Sequence, residues 1–68
     1  MNLSERIRTL RKAKGLTQEQ VAERMDISGS AFGQIERNAE RATFVTLTKI
    51  AVALEVSIDV LVLPESGT

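Results

Sequence analysis

The chain has 68 residues, with nine Lys or Arg against nine Asp or Glu and neither Cys nor His. One small domain is expected, near the lower limit for a core that folds alone, with no disulfide and no thiolate or imidazole metal site to staple it. Two Phe without Trp or Tyr argue against single-strand binding by base stacking, no apolar run approaches membrane-spanning length, and the N-terminus does not read as a signal peptide.

The zero net charge hides an asymmetry. Arg6, Arg8, Arg11, Lys12 and Lys14 face only Glu5 within residues 1–14, whereas Glu55, Asp59 and Glu65 stand without a base within residues 50–68. A basic side and an acidic end follow, enough for binding through a few phosphates with a shallow salt dependence. The lack of Cys suits a cytoplasmic setting.

A first helix is expected from about Leu3 to Lys14. Asn2 caps it, Glu5 follows in capping-box spacing, and Leu3, Ile7 and Leu10 make one apolar stripe. Gly15 fits the left-handed residue that ends it. A second helix starts after Thr17, which pairs with Gln20 in another capping box, and buries Val21, Ala22 and Met25. Small Ala22 lets two helices cross closely. Asp26 falls where the turn requires positive φ, which Asp tolerates better than most residues.

Ser28 caps a third helix running to about Arg37, with Phe32 and Ile35 inward. Gly29 and Gly33 each weaken it by roughly 1 kcal/mol relative to Ala, so packing must hold it. Residues 38–42 read as a polar loop. Thr43 caps a fourth helix with Phe44, Leu47, Ile50, Ala51 and Leu54 at helical spacing. Ser57 caps a short fifth helix in which Ile58 and Leu61 face the core, and Pro64 stops it. The expected architecture is all-α: a compact five-helix domain over residues 1–64, with 65–68 a frayed tail.

Residues 17–36 form two short capped helices joined by a tight turn, with apolar residues where crossing helices must touch. This is the helix-turn-helix pattern, which sets its second helix where it can enter the major groove of DNA. Further residues extend the likeness: Leu10-Arg11, Gly15-Leu16-Thr17-Gln18, Ile35-Glu36-Arg37-Asn38, Thr43, Leu47, Ile50-Ala51 and Val56-Ser57-Ile58-Asp59. Over residues 3–63 the chain resembles the Cro/repressor-type (XRE-type) helix-turn-helix domain. Within that family it looks most like restriction–modification controller proteins, with phage repressors nearly as close. The resemblance implies the lambda repressor-like five-helix fold, binding to double-stranded DNA and a two-fold homodimer on a palindromic operator. It brings no enzyme activity, no cofactor and no metal.

The N-terminal part of a recognition helix faces base edges, which here means Gly29, Ser30 and Ala31, with Gln34 one turn on. Gln34 is the best reader, because an amide can bond adenine N6 and N7 together; the bland alternative is a solvated surface residue. Ser30 discriminates weakly, Ala31 can touch a thymine methyl, and Gly29 stands where relatives often place Gln or Arg. The resemblance carries Gln18, at the start of the second helix, over as a phosphate or base contact, and Ser28, Arg37, Asn38, Arg41 and Thr43 are expected at phosphates. Thr43 is needed as a cap in any case. The resemblance assigns Arg11 and Glu36 to an internal ion pair. The other bases of the first helix are read as solvated or steering charges.

Val45, Val52 and Val60, followed by Val62 and Leu63, are apolar where the pattern expects polar residues. A symmetric dimer through the fourth and fifth helices is expected, with Val52, Val60 and Leu63 near its centre. The leading functional reading is a transcriptional regulator, a repressor or autoregulatory controller, without a small-molecule effector. The alternative is an antitoxin or protein-interaction module on the same fold. No catalytic constellation is found in the sequence.

Overall fold

The computed structural model describes residues 2–62. The order is α1 (Leu3–Ala13), α2 (Gln18–Arg24), α3 (Gly29–Arg37), a 3₁₀ turn (Ala39–Arg41), α4 (Phe44–Leu54) and α5 (Ile58–Val62). All described elements are helical. Pro64, Leu63 and the 65–68 tail lie outside the described residues.

Local chemistry sets the helix starts. Asn2 Oδ1 accepts from Glu5 N at 2.8 Å. Thr17 and Gln20 form a complete reciprocal capping box. Ser28 Oγ accepts from Ala31 N, and Thr43 Oγ1 from Thr46 N. Each side-chain oxygen satisfies a backbone donor that the first turn cannot pair internally.

Three helix ends share one geometry. Gly15, Asp26 and Glu55 lie at φ +71°, +60° and +60°. In each case the next residue reaches back to the final turn: Leu16 N to Arg11 O, Ile27 N to Ala22 O, and Val56 N to Ala51 O. Leu16, Ile27 and Val56 all pack against the core. This is the Schellman arrangement, in which the reversal both pairs terminal carbonyls and drives an apolar residue inward. Gly15 and Asp26 fulfil the reading of the sequence, whereas Glu55 was not anticipated as left-handed.

Distant side chains close other ends. Ser4 Oγ donates to Arg37 O at 3.0 Å, Arg24 Nη1 to Ala53 O at 2.7 Å, and Arg6 Nη1 to Leu61 O at 2.9 Å. Glu40 Oε1 accepts from Leu3 N at the start of α1. Arg6 is therefore a tie between α1 and α5, a correction to its reading as a solvated or steering charge.

The core takes Ile7 from α1, Val21 and Ala22 from α2, Phe32 from α3, Leu47, Ile50, Ala51 and Leu54 from α4, and Leu61 from α5. Leu10, Met25, Ile35 and Ile58 are partly buried against it. One expectation fails. Residues 38–42 are not merely a polar loop: a 3₁₀ turn over Ala39–Arg41 buries Ala39 completely. Phe44 shares the stripe of α4 in register and is 64% exposed, with no described residue covering it.

Candidate nucleic-acid interface

α2 and α3 cross closely because the residues between them are small. Ala22 and Gly33 are buried at the crossing. A Cβ on Gly33 would lie 3.5 Å from Gln18 Oε1, in ordinary contact, and one on Gly29 would come within 3.1 Å of Glu19 Cγ. The Gly29–Gly33 line of α3 is thus covered by the side chains of Gln18 and Glu19, the first residues of α2.

The outward face of α3 carries Ser30, Gln34 and Arg37, all exposed, with Ala31 half-buried. Ser28 is exposed, and its hydroxyl is occupied as the cap. Two hollows flank the helix. One runs between α2 and α3 and is lined by Gln18, Glu19, Gly29, Ser30, Gly33, Gln34 and Arg37. The other lies between α3, the 3₁₀ turn and the start of α4, and takes Gln34, Ile35, Asn38, Arg41, Ala42, Thr43 and Thr46. Gln34 belongs to both, so it stands on the ridge that separates them. Asn38 Nδ2 donates to Gln34 O at 3.0 Å, which turns its amide back onto α3. Thr43 Oγ1 both accepts from Thr46 N and bonds Thr46 Oγ1. Thr46, a wall of the second hollow, escaped notice in the sequence; it stands one turn after the cap that it completes.

Behind this face lies a buried polar cluster. Arg11 Nε donates to Glu36 Oε2 at 2.8 Å, and Arg11 Nη1 to Leu16 O at 2.9 Å. Gln18 Nε2 donates to Glu36 Oε1 at 2.9 Å. Glu36 is 1% exposed and Arg11 8%. A carboxylate so buried requires its partners, and here one guanidinium and one amide supply them. The cluster joins α1, the α1–α2 connection, the first residue of α2 and the last turn of α3. The structure therefore places Arg11 and Glu36 together, and it turns Gln18 partly inward.

On α4 and α5, Val45, Val52, Val60 and Val62 are exposed, at 64%, 72%, 45% and 41%. Leu63 lies outside the described residues. Among the described residues, no group of His, Cys, Asp or Glu could hold a metal ion, and no helix is long and apolar enough to cross a membrane.

The helix-turn-helix family model matches residues 7–61. The chain belongs to the XRE-type helix-turn-helix family. Among curated relatives, the immunity repressor protein of Bacillus phage phi105 is 36% identical over 62 residues, which is 91% of this chain and 43% of that protein. The cryptic phage CTXphi transcriptional repressor RstR of Vibrio cholerae is 41% identical over 87% of this chain and 53% of its own length. The uncharacterized HTH-type transcriptional regulator YazB of Bacillus subtilis is 42% identical, with 88% of this chain and 87% of that protein covered. The chain thus spans about half the length of the two phage repressors and most of YazB. No solved structure matches it. The family and these relatives are regulators, not enzymes, in line with the sequence reading.

Proposed function

We propose that this chain is a sequence-specific double-stranded DNA-binding transcriptional regulator, acting as a homodimer on a palindromic operator. The observation that carries this reading is α3 itself: a helix capped by Ser28, exposed along Ser30, Gln34 and Arg37, and flanked by a hollow on either side. A helix standing between two hollows fits a major groove, whose walls are the two phosphate backbones. Gln34, on the ridge, is the base reader, with Ser30, Ala31 and Gly29 toward the helix start. Arg37, Arg41, Asn38, Thr43, Ser28 and Gln18 lie along the flanks, where phosphate contacts fix register and not sequence.

Val52 and Val60 are the described part of the proposed dimer surface. Two recognition helices related by a two-fold axis would stand about 34 Å apart and read half-sites one turn apart. The names of the phage relatives support repression as the outcome. One observation favours a second reading, an antitoxin or protein-interaction module: four valines and a phenylalanine are exposed on a neutral chain.

Selection of bound duplexes from a randomised library, at two salt concentrations, separates the readings. Enrichment of a palindrome with half-sites one turn apart is the expected result. Weak binding without an enriched motif, lost at moderate salt, would leave the protein-interaction reading in its place.

A further inference from the structure

The two hollows beside α3 differ in chemistry. The one between α2 and α3 is mostly polar, and Glu19 stands in it. The one between α3, the 3₁₀ turn and the start of α4 is mostly apolar, and no acid lines it. Its apolar walls are Ile35 and Ala42, both half-buried. The polar groups next to them are already engaged. Asn38 Nδ2 donates to Gln34 O, the Thr43 and Thr46 hydroxyls bond each other, and Thr43 Oγ1 also accepts from Thr46 N. Such a hollow offers a ligand mainly methyl and methylene surface. Gln34 borders it on the side of α3, and exposed Arg41 on the side of the 3₁₀ turn.

An apolar hollow between a base-reading amide and a phosphate-seeking cation has a counterpart in DNA. Among the groups that base pairs present in the major groove, the 5-methyl of thymine is the apolar one; the rest are donors or acceptors. Carbon 5 of a pyrimidine lies between the C4 substituent and the C6 edge next to the sugar. Its methyl therefore projects toward the backbone of its own strand. It stands between the base edge and the phosphates, as the hollow stands between Gln34 and Arg41.

We propose that this hollow takes the 5-methyl group of a thymine adjoining the base pair that Gln34 reads, with Ile35 and Ala42 as specificity-determining residues. This rests on the DNA-binding reading above and deepens it, since these two side chains select sequence without a hydrogen bond. 5-Methylcytosine carries the same group, so the hollow reads the methyl and not the pairing edge.

The test measures the affinity of the chain for its selected operator, with each thymine replaced in turn by deoxyuridine, which removes only the methyl. One thymine in each half-site, next to the position whose preference Gln34→Ala relaxes, is expected to lose binding roughly fourfold, the worth of one buried methyl. The other thymines should change little. At the sensitive position, 5-methylcytosine should bind more tightly than cytosine by about the same factor. Ala42→Leu fills the hollow and should bring the thymine-to-deoxyuridine ratio to one, with its melting temperature showing that the variant is folded. Arg41→Ala should weaken both duplexes alike and leave the ratio unchanged. The scan on wild type depends on no variant. A flat scan would mean that the hollow meets only sugar carbons, and would overturn the proposal while DNA recognition stands. A thymine effect without a methylcytosine gain, or one that persists in folded Ala42→Leu, would place the methyl outside the hollow and overturn it equally. If wild type selects no sequence, the DNA-binding reading falls with it.

Discussion

The two sides of this molecule solve the problem of a small core differently. The side formed by α1, α2 and α3 is held by named polar bonds, with Arg11, Glu36 and Gln18 interlocked behind the helix that faces outward. The side formed by α4 and α5 has an apolar interior, anchored on Leu54 and Leu61, and an exterior in which valine replaces charge. Polar bonds fix positions, and a DNA-reading helix must be aimed. Unpaired apolar surface favours a partner whose chemistry is equally apolar. Arg6, Arg11 and Arg24 are engaged with internal carbonyls and carboxylates, while Arg37 and Arg41 remain exposed around α3.

Breaking the polar side should have the largest effect. Glu36→Ala leaves Arg11 buried without its counter-charge and should cost about 3–5 kcal/mol, measured by denaturant unfolding. Combining it with an apolar partner, as Arg11→Met with Glu36→Leu, should recover most of that loss, since a buried pair replaced by apolar residues is often neutral. Recovery of stability with impaired DNA discrimination would mean that the cluster serves aim more than cohesion. On the other side, Leu54→Ala should cost roughly 2–5 kcal/mol, with no comparable polar rescue available.

Val60→Glu probes the exterior of that apolar side. The residue is 45% exposed, so the fold should change by no more than about 0.5 kcal/mol. Sedimentation at micromolar concentration should shift from dimer to monomer. A variant that stays dimeric would place the interface elsewhere.

The same contrast decides what could be read from the sequence. Features set by neighbours a few residues away were legible: the caps at Thr17, Ser28 and Thr43, and the turns at Gly15 and Asp26, because a cap or a positive φ has a local chemical signature. Arg6, Ser4 and Arg24 were not legible, since their carbonyl partners lie 55, 33 and 29 residues away. The stripe on α4 gave the right face but not the exposure of Phe44, since periodicity says which side a residue shares and not whether a neighbour reaches its end of the helix. At the candidate interface, the identities of Gln34 and Gln18 could be read directly. The orientation of the Gln18 amide could not, because it depends on a carboxylate from another helix.

Glu55 offers a smaller test of local geometry. A side chain at φ +60° is strained by about 1–2 kcal/mol, and its contact with Arg24, at 3.7 Å between exposed groups, offsets little of that. Glu55→Gly should raise thermal stability by an amount near the lower figure, after the greater unfolded-state freedom of glycine is counted.

Gly33→Ala carries a small stability effect and sharpens the comparison most. In the interior of α3, alanine is favoured over glycine by up to about 1 kcal/mol, and the new methyl would meet Gln18 at ordinary contact distances. Stability should therefore rise slightly, with the melting temperature as the measurement. The methyl would also fill the floor of the hollow that Gln18 and Glu19 border, so operator binding should weaken as stability improves. Opposite signs in the two measurements would mean that the glycine is kept for the approach of DNA and not for the fold. A gain in both would show that the floor of the hollow is spare room, and that recognition runs along the Ser30–Gln34 ridge alone.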